Sequence, residues 1–280
     1  MSICHLFQFT HFFFIFPLSY KNKRWQHKTS YLASSNLQSY PIELKGLRTQ
    51  SYLTAWCWNL LGLSFFINGL VLSLLIPIDD IHTTTNDDSY LYYYSGKHGH
   101  YAYPSSFFSR SLLHMSPICF EIAAPMSMLV SAVIKYAIWP RLFQKGGPTK
   151  TTDLKRFTNL MSHNMNVIFV FIEVGFLGNL SVDIKHIFVA PIFGMTYALY
   201  SYCMASRWTP GNGAQFLYFF LDTTLGLTST KALFGLFLVL ILFYVIFWAI
   251  CEMIFSYTRR LLLRAVIVFV ISRFFCKFRD

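Results

Sequence analysis

Charge is scarce in this chain: Asp, Glu, Lys and Arg together make up 12% of its 280 residues, where a soluble globular protein averages roughly 25%. Hydrophobic residues supply 55%, which leaves too little polar surface to coat a water-soluble catalytic domain. Acidic residues are the scarcer sign, 12 against 23 Lys and Arg, for a net charge of +11. That excess suits nucleic acid in principle, but the basic residues fall in short clusters beside apolar segments, with no recognition fold or Arg-rich face. Lys and Arg that hold loops on the cytoplasmic side of a membrane account for it better, so no nucleic-acid partner is expected. The six cysteines are scattered, with no CxxC or Cys/His spacing, which argues against a zinc or iron-sulfur site. They read as small buried apolar residues, and neither a metal nor a cofactor is expected. The Phe-rich opening, Ile3 to Tyr20, lacks the basic n-region of a signal peptide and fits a span, an uncleaved anchor or an interfacial helix.

What is present is a series of apolar runs of membrane length. The pattern predicts an all-α, polytopic transmembrane helical bundle of five to six spans. Residues 1–50 form an N-terminal extension with a possible membrane-associated segment and a basic cytoplasmic stretch; residues 51–257 form the transmembrane domain; residues 258–280 form a basic amphipathic tail. The first span runs from about Tyr52 to Ile78, longer than the ~20 residues a hydrocarbon core requires. Asp79, Asp80, Asp87, Asp88 and many tyrosines follow it, which marks a lumenal or extracellular loop. The second span, about Leu112 to Trp139, is closed by Pro140, and Arg141, Lys145, Lys150, Lys155 and Arg156 bring the chain back to the cytoplasm. The third, about Asn159 to Gly178, and the fourth, about His186 to Ala205, are joined by so short a link that they should form an antiparallel hairpin. In that link Asn179-Leu-Ser181 fits both a glycosylation sequon and a helix-ending turn, the turn being favoured so close to the membrane. The last strong span is about Ala232 to Tyr257. Five crossings would leave Arg259, Arg260, Arg264, Arg273, Lys277 and Arg279 outside, so a short or broken sixth crossing is expected over Ala214 to Thr230. The apolar Leu261 to Phe275 is then expected along the bilayer surface.

Charged groups near the bilayer centre cost at least ~2.5 to 3.5 kcal/mol on insertion scales, so they face the bundle interior or a cavity. His114, Glu121, Met128 and Lys135 recur every seven residues and fall on one inward face of the second span. His163, Asn166 and Glu173 share a face of the third, with Glu173 about 15 Å from His163 along the axis. Thr54 and Asn68 are nearly eclipsed on the first. Thr54 and His163 each lie at the cytoplasmic start of a helix and can be level, so that a hydroxyl nucleophile and an imidazole base could meet. Each also has a plainer role: Thr54 as a helix cap or leading residue, His163 as an interfacial hydrogen-bonding group, Glu121 and Glu173 as neutral glue between helices or as members of a proton or ion pathway.

The strings Tyr52-Leu-Thr-Ala around Thr54, Ala123-Ala-Pro-Met-Ser-Met-Leu-Val-Ser-Ala-Val in the second span, and His163 ten residues before Glu173 resemble the androgen-induced protein family. That family, which includes the androgen-dependent TFPI-regulating protein and its relatives, carries a similar Phe-Leu-Thr string, a Pro-containing span and a His at the same interval from a Glu. The resemblance covers about Tyr52 to Tyr257. It implies a multipass membrane hydrolase of fatty acid esters of hydroxy fatty acids, with Thr54 as nucleophile and His163 as general base. The chain departs from the family in its N-terminal extension, its tyrosine-rich loop, the Ala214 to Thr230 segment, and Asn164-Met-Asn166, where relatives have small or hydroxyl residues.

The expected function is therefore membrane-embedded lipid ester hydrolysis by Thr54 and His163, with Asn166, Glu121 and Glu173 as supporting polar groups. Asn166 would orient the imidazole or donate to an oxyanion. The partners are the bilayer and a lipid ester arriving laterally between helices, and the expected location is an endomembrane or the plasma membrane. Two rivals remain: a transporter that couples protons or ions through Glu121, Lys135 and Glu173, and a non-catalytic membrane scaffold.

Overall fold

The structure is a computed structural model, and it describes residues 24–29, 31–70, 107–177, 180–257 and 261–279. The aspartates 79, 80, 87 and 88, the Phe-rich opening, Asn179 and Arg259 and Arg260 lie outside them. The described chain is mostly helical. A two-stranded antiparallel sheet, β1 (Arg24–His27) and β2 (Ile42–Lys45), precedes the helices. Then come α1 (Leu53–Leu70), α2 (Phe107–Ala132), α3 (Trp139–Lys150), α4 (Phe157–Leu160), α5 (Asn166–Ile172), α6 (Val189–Met204), α7 (Leu227–Glu252) and α8 (Leu261–Phe275). Among the described residues, three continuous helical stretches are long and apolar enough to cross a membrane: His114–Lys150, Ile184–Arg207 and Leu227–Phe255. Met161–Leu177 is apolar but shorter.

Helix α2 is the centre of the bundle and touches α1, α5, α6, α7 and α8. Its partner contacts fix the direction of each neighbour. Ser64 and Ser116 exchange hydroxyl-to-carbonyl hydrogen bonds of 2.8 and 2.9 Å, and Cys57 meets Met126 at 3.8 Å, so α1 runs antiparallel to α2. Farther along, the Ser131 hydroxyl donates to the His163 carbonyl. The start of α1, the end of α2 and the start of α4 therefore lie at one end of the bundle. The end of α6 joins them there, because the Tyr197 hydroxyl donates to the Ser51 carbonyl at 2.8 Å and Trp56 packs edge-on against Tyr197.

At that end sits a polar cap that the apolar pattern did not announce. In β2 the side chains alternate, Ile42 and Leu44 fully buried and Glu43 and Lys45 outward, as the two-residue period of a strand requires. The inward pair packs on Trp208 and Leu217. The segment after β1 is then laced to residues 215–224: His27 Nε2 to the Leu217 carbonyl at 3.0 Å, the Phe216 amide to the Tyr31 hydroxyl at 2.8 Å, and the Gln215 amide to the Gln38 carbonyl at 2.7 Å. Ser35 donates to the buried carboxylate of Asp222. Residues 214–226 hold two three-residue 3-10 turns, Phe219–Leu221 and Thr223–Leu225. The expected sixth crossing is thus absent from Ala214 to Thr230: α6 ends and α7 begins at the same end, and the link between them is cap.

The chain returns through α8 instead. The π-helical turn Met253–Tyr257, which follows α7, touches the turn Glu173–Leu177 at the far end. From there α8 runs back along α5. A Cβ on Gly175 would sit 2.6 Å from Val268 Cγ2, so only glycine allows that close approach. At the capped end, Asn164 Nδ2 donates to the Lys277 carbonyl at 2.6 Å. The Lys135 amine donates to the Arg273 and Phe274 carbonyls at 2.7 and 2.6 Å, and the Tyr136 hydroxyl to Phe274 at 2.6 Å. These are the last carbonyls of a helix, where a cation is favoured.

Four local expectations change. The second span does not stop at Pro140, which occupies the first turn of α3, where no amide hydrogen is needed; the break comes at Gly146 and Gly147, whose backbone is not helical. The heptad face of α2 is buried at Glu121 and Met128, but His114 is exposed and Lys135 half-buried. A π-helical turn, Val133–Ile138, interrupts the register just there. Helix α6 packs chiefly on α2 and α7, not on α5 as a hairpin would. Cys57, Cys119, Cys251 and Cys276 are buried, while Cys203 is exposed.

Candidate functional site

Thr54 is the second residue of α1 and is half-buried. It does not occupy the cap position: the helix opens with the Tyr52 carbonyl accepting from the amides of Ala55 and Trp56, at 3.0 and 3.1 Å. His163 sits in the π-helical turn Met161–Met165, and that turn touches both α1 and α2. Its Nδ1 is shielded from solvent, with no hydrogen-bond partner among the described residues.

The two residues are nearly level. Thr54 lies one turn before Cys57, which meets Met126, and His163 meets Ser131 five residues farther along α2. At 1.5 Å per residue the two heights differ by about 3 Å. The turn that carries His163 is gripped from two sides. Ser131 takes its carbonyl, and Asn164 next to it holds the Lys277 backbone and accepts from the Cys276 thiol through its own carbonyl at 3.5 Å.

Asn166 begins α5 and is completely buried. Its Oδ1 accepts from the Val167 amide at 2.7 Å. Its Nδ2 is buried with no acceptor among the described residues.

Glu121 and Glu173 lie apart from this group. Both are completely buried, and both are ten residues from the Ser131–His163 contact, so they sit at a common level about 15 Å toward the far end. Glu121 is fully engaged. One oxygen accepts from the Asp183 amide at 3.0 Å and the other meets His186 Nδ1 at 2.8 Å. The Tyr244 hydroxyl completes the knot on the Asp183 carbonyl at 2.8 Å. Glu173 opens the π-helical turn at the far end of α5.

Sequence reasoning missed His186, Asp183 and Tyr244 as partners of Glu121. The signal was an Asp-Ile-Lys-His string in the link before α6, close enough to the membrane to meet an intramembrane acid. It also missed Asn164, Ser131 and the C-terminal backbone that hold the His163 turn, since each of these contacts has a main-chain atom, of His163, Asn164 or Lys277, at one end. The described residues contain no group of three His, Cys, Asp or Glu side chains placed to hold a metal. Comparison with protein-family models finds no match to this chain, and neither does comparison with curated proteins or with solved structures.

Proposed function

We propose that the protein is a multipass membrane hydrolase of lipid esters, with Thr54 as nucleophile and His163 as general base. The observation that carries this reading is the contact between α1 and the Met161–Met165 turn, at heights that bring the two residues within about 3 Å of level. The resemblance to the androgen-induced protein family at the same two residues supports it.

In the first step the Thr54 oxygen attacks the ester carbonyl carbon while a His163 ring nitrogen takes the hydroxyl proton. The carbonyl π electrons move onto its oxygen. Collapse of that adduct breaks the bond to the alcohol, which leaves with the proton from His163, and an acyl-threonine remains. Water then attacks the acyl carbon, gives a proton to His163, and releases the fatty acid as Thr54 recovers its hydrogen. The apolar outer faces of α6 and α7, with Ile192, Met195, Leu199, Phe234 and Leu238 exposed, suit a protein immersed in acyl chains.

Six crossings fit this reading, the sixth being α8. Its 15 residues span about 22 Å, short of the ~30 Å core, a mismatch that local thinning accommodates. The capped end then carries Arg141, Lys145, Lys150, Arg273, Lys277 and Arg279 together, as expected of the cytoplasmic side. On this reading the basic tail that five crossings left outside lies on the cytoplasmic side. The protein belongs on this reading to an endomembrane or the plasma membrane.

A second reading, proton-coupled transport, draws on the buried Glu121 and its half-exposed partner His186. One experiment separates the two. Membranes containing the parent, Thr54→Ala, His163→Ala and Glu121→Gln are offered a fluorophosphonate probe and a fatty acid ester of a hydroxy fatty acid. Hydrolysis predicts that the first two variants lose labelling and turnover by 100-fold or more and that Glu121→Gln keeps both. Equal rates in all four would remove the hydrolase reading.

A further inference from the structure

We propose that Asn166 is a catalytic residue of this reaction, donating from Nδ2 to the ester carbonyl oxygen as that oxygen gains negative charge. The inference rests on the hydrolase reading and adds to it the group that stabilises the transition state.

The orientation of the side-chain amide is fixed. Its oxygen faces the Val167 N–H at 2.7 Å, and a flipped amide would set two donors against each other there. Nδ2 and its two hydrogens are therefore the free end. That end is completely buried and has no acceptor among the described residues, which costs a folded protein about 1–3 kcal/mol. A donor held ready for a charge that exists only during the reaction is the arrangement that electrostatic stabilisation requires, since it needs no reorganisation at the moment of attack.

Position supports the same role. Asn166 lies three residues beyond His163, which meets Ser131, and so stands opposite Met128. Thr54, one turn before Cys57 and its contact with Met126, stands opposite Leu129. The two differ in height by about 1.5 Å, less than Thr54 and His163 do. A carbonyl under attack by Thr54 would place its oxygen at the level of Asn166.

Other buried amides do not fit. Asn164 is spent on the Lys277 backbone through both of its side-chain ends. Asn68 also has a buried, unpartnered Nδ2, but it stands 14 residues from Thr54, about 21 Å along the helix. The Ser131 hydroxyl is taken by the His163 carbonyl. An amide also suits the task chemically, because it donates without a proton to lose and does not compete with His163 as a base.

The test uses the full chain in detergent or vesicles, with Asn166→Leu and Asn166→Ala compared with the parent and Thr54→Ala on the same ester. Turnover and fluorophosphonate labelling are read on the folded, monodisperse fraction, beside the melting temperature. The expected result is a kcat lowered on the order of 100-fold in both Asn166 variants, with KM within about threefold and Asn166→Leu melting no lower than the parent. If both keep kcat within threefold while Thr54→Ala is inactive, or if the loss falls on KM alone, Asn166 is not the oxyanion donor and the hydrolase reading survives. If Thr54→Ala is as active as the parent, the hydrolase reading fails and this inference with it.

Discussion

Two groups of buried polar side chains, one around Glu121 and one around His163 and Asn166, are treated in opposite ways. At the far end, Glu121 spends both carboxylate oxygens, on Asp183 and His186, and Tyr244 ties the same loop from α7. At the capped end, His163 Nδ1 and Asn166 Nδ2 are buried with no partner among the described residues, at nearly the height of a half-buried Thr54. A carboxylate satisfied on every side is a staple: it holds α2, α7 and the link before α6 in one arrangement. Polar atoms left unsatisfied weaken the fold, and on the proposed reading a substrate engages them. On the proposed reading, the Glu121 group serves stability and the His163 group serves chemistry.

The sharpest way to break that contrast is to remove the staple. Glu121→Ala strands the His186 ring and the Asp183 amide, and it should lower stability by roughly 2 to 4 kcal/mol, less than a fully enclosed pair because His186 is half-exposed. Thermal unfolding in detergent would show it. Thr54→Ala should shift the same curve by less than about 1 kcal/mol, while activity follows the reverse order. A Thr54→Ala protein that melts as early as Glu121→Ala would erase the division of labour.

Asn164→Ala should come next. It cuts the tail away from the His163 turn, at a cost of about 1–3 kcal/mol, and on the proposed reading it should reduce turnover as well, because the turn that carries His163 loses its anchor. Hydrogen exchange at residues 161–166 and 272–278 should rise together; protection that persists in either segment would show that the grip is not mutual. Lys135→Met is smaller, about 0.5–1 kcal/mol from the exposed C-terminal carbonyls of α8, read from the same melting curves at low and high salt. A salt-independent change would point to packing instead of charge.

The smallest effect concerns the cap. His27 is largely enclosed between Tyr52 and the Leu217 carbonyl, and burial holds its pKa below the ordinary value of 6.5. The folded cap thus prefers neutral His27, and the unfolded segment takes up the proton first. The contribution is present above about 6.5 and is lost as pH falls from there toward the lowered folded value. Limited proteolysis of residues 24–50 should therefore quicken on acidification from pH 7.5 to 5. In His27→Gln that pH dependence should flatten, and an unchanged slope would clear His27 of the effect.

Which features could be read in advance follows from how far apart the interacting residues lie. The helices containing Cys57, Phe120, Val170 and Tyr244 were legible because an apolar run declares itself locally, and α1, α6 and α7 begin within a few residues of the expected positions. The deep burial of Glu121, Asn166 and Glu173 was legible for the same reason, since a charge or an amide in such a run must turn inward. The cap was not, because its hydrogen bonds join residues more than 170 positions apart, as Tyr40 to Gln215 does, and each half alone reads as polar loop. The packing of α8 along α5 was not legible, because 15 residues fall below the usual length of a span. The π-helical turns escaped because one inserted residue leaves the hydropathy unchanged while it rotates everything beyond it, as Lys135 demonstrates.

The central place of α2 has a genetic consequence. Five other helices rest on it, and 78% of its most apolar window is enclosed, against 17% for that of α7. A saturation scan should therefore find α2 intolerant from Cys119 to Ser131, whatever the activity selected, with damage at Ala123 or Met128 as severe as damage near Thr54 and His163. Tolerance to substitution in that helix will report where the scaffold is thick, and on the proposed reading the signature of function is to be sought at positions such as Thr54 and Asn166, where a change is expected to silence the protein without lowering its abundance.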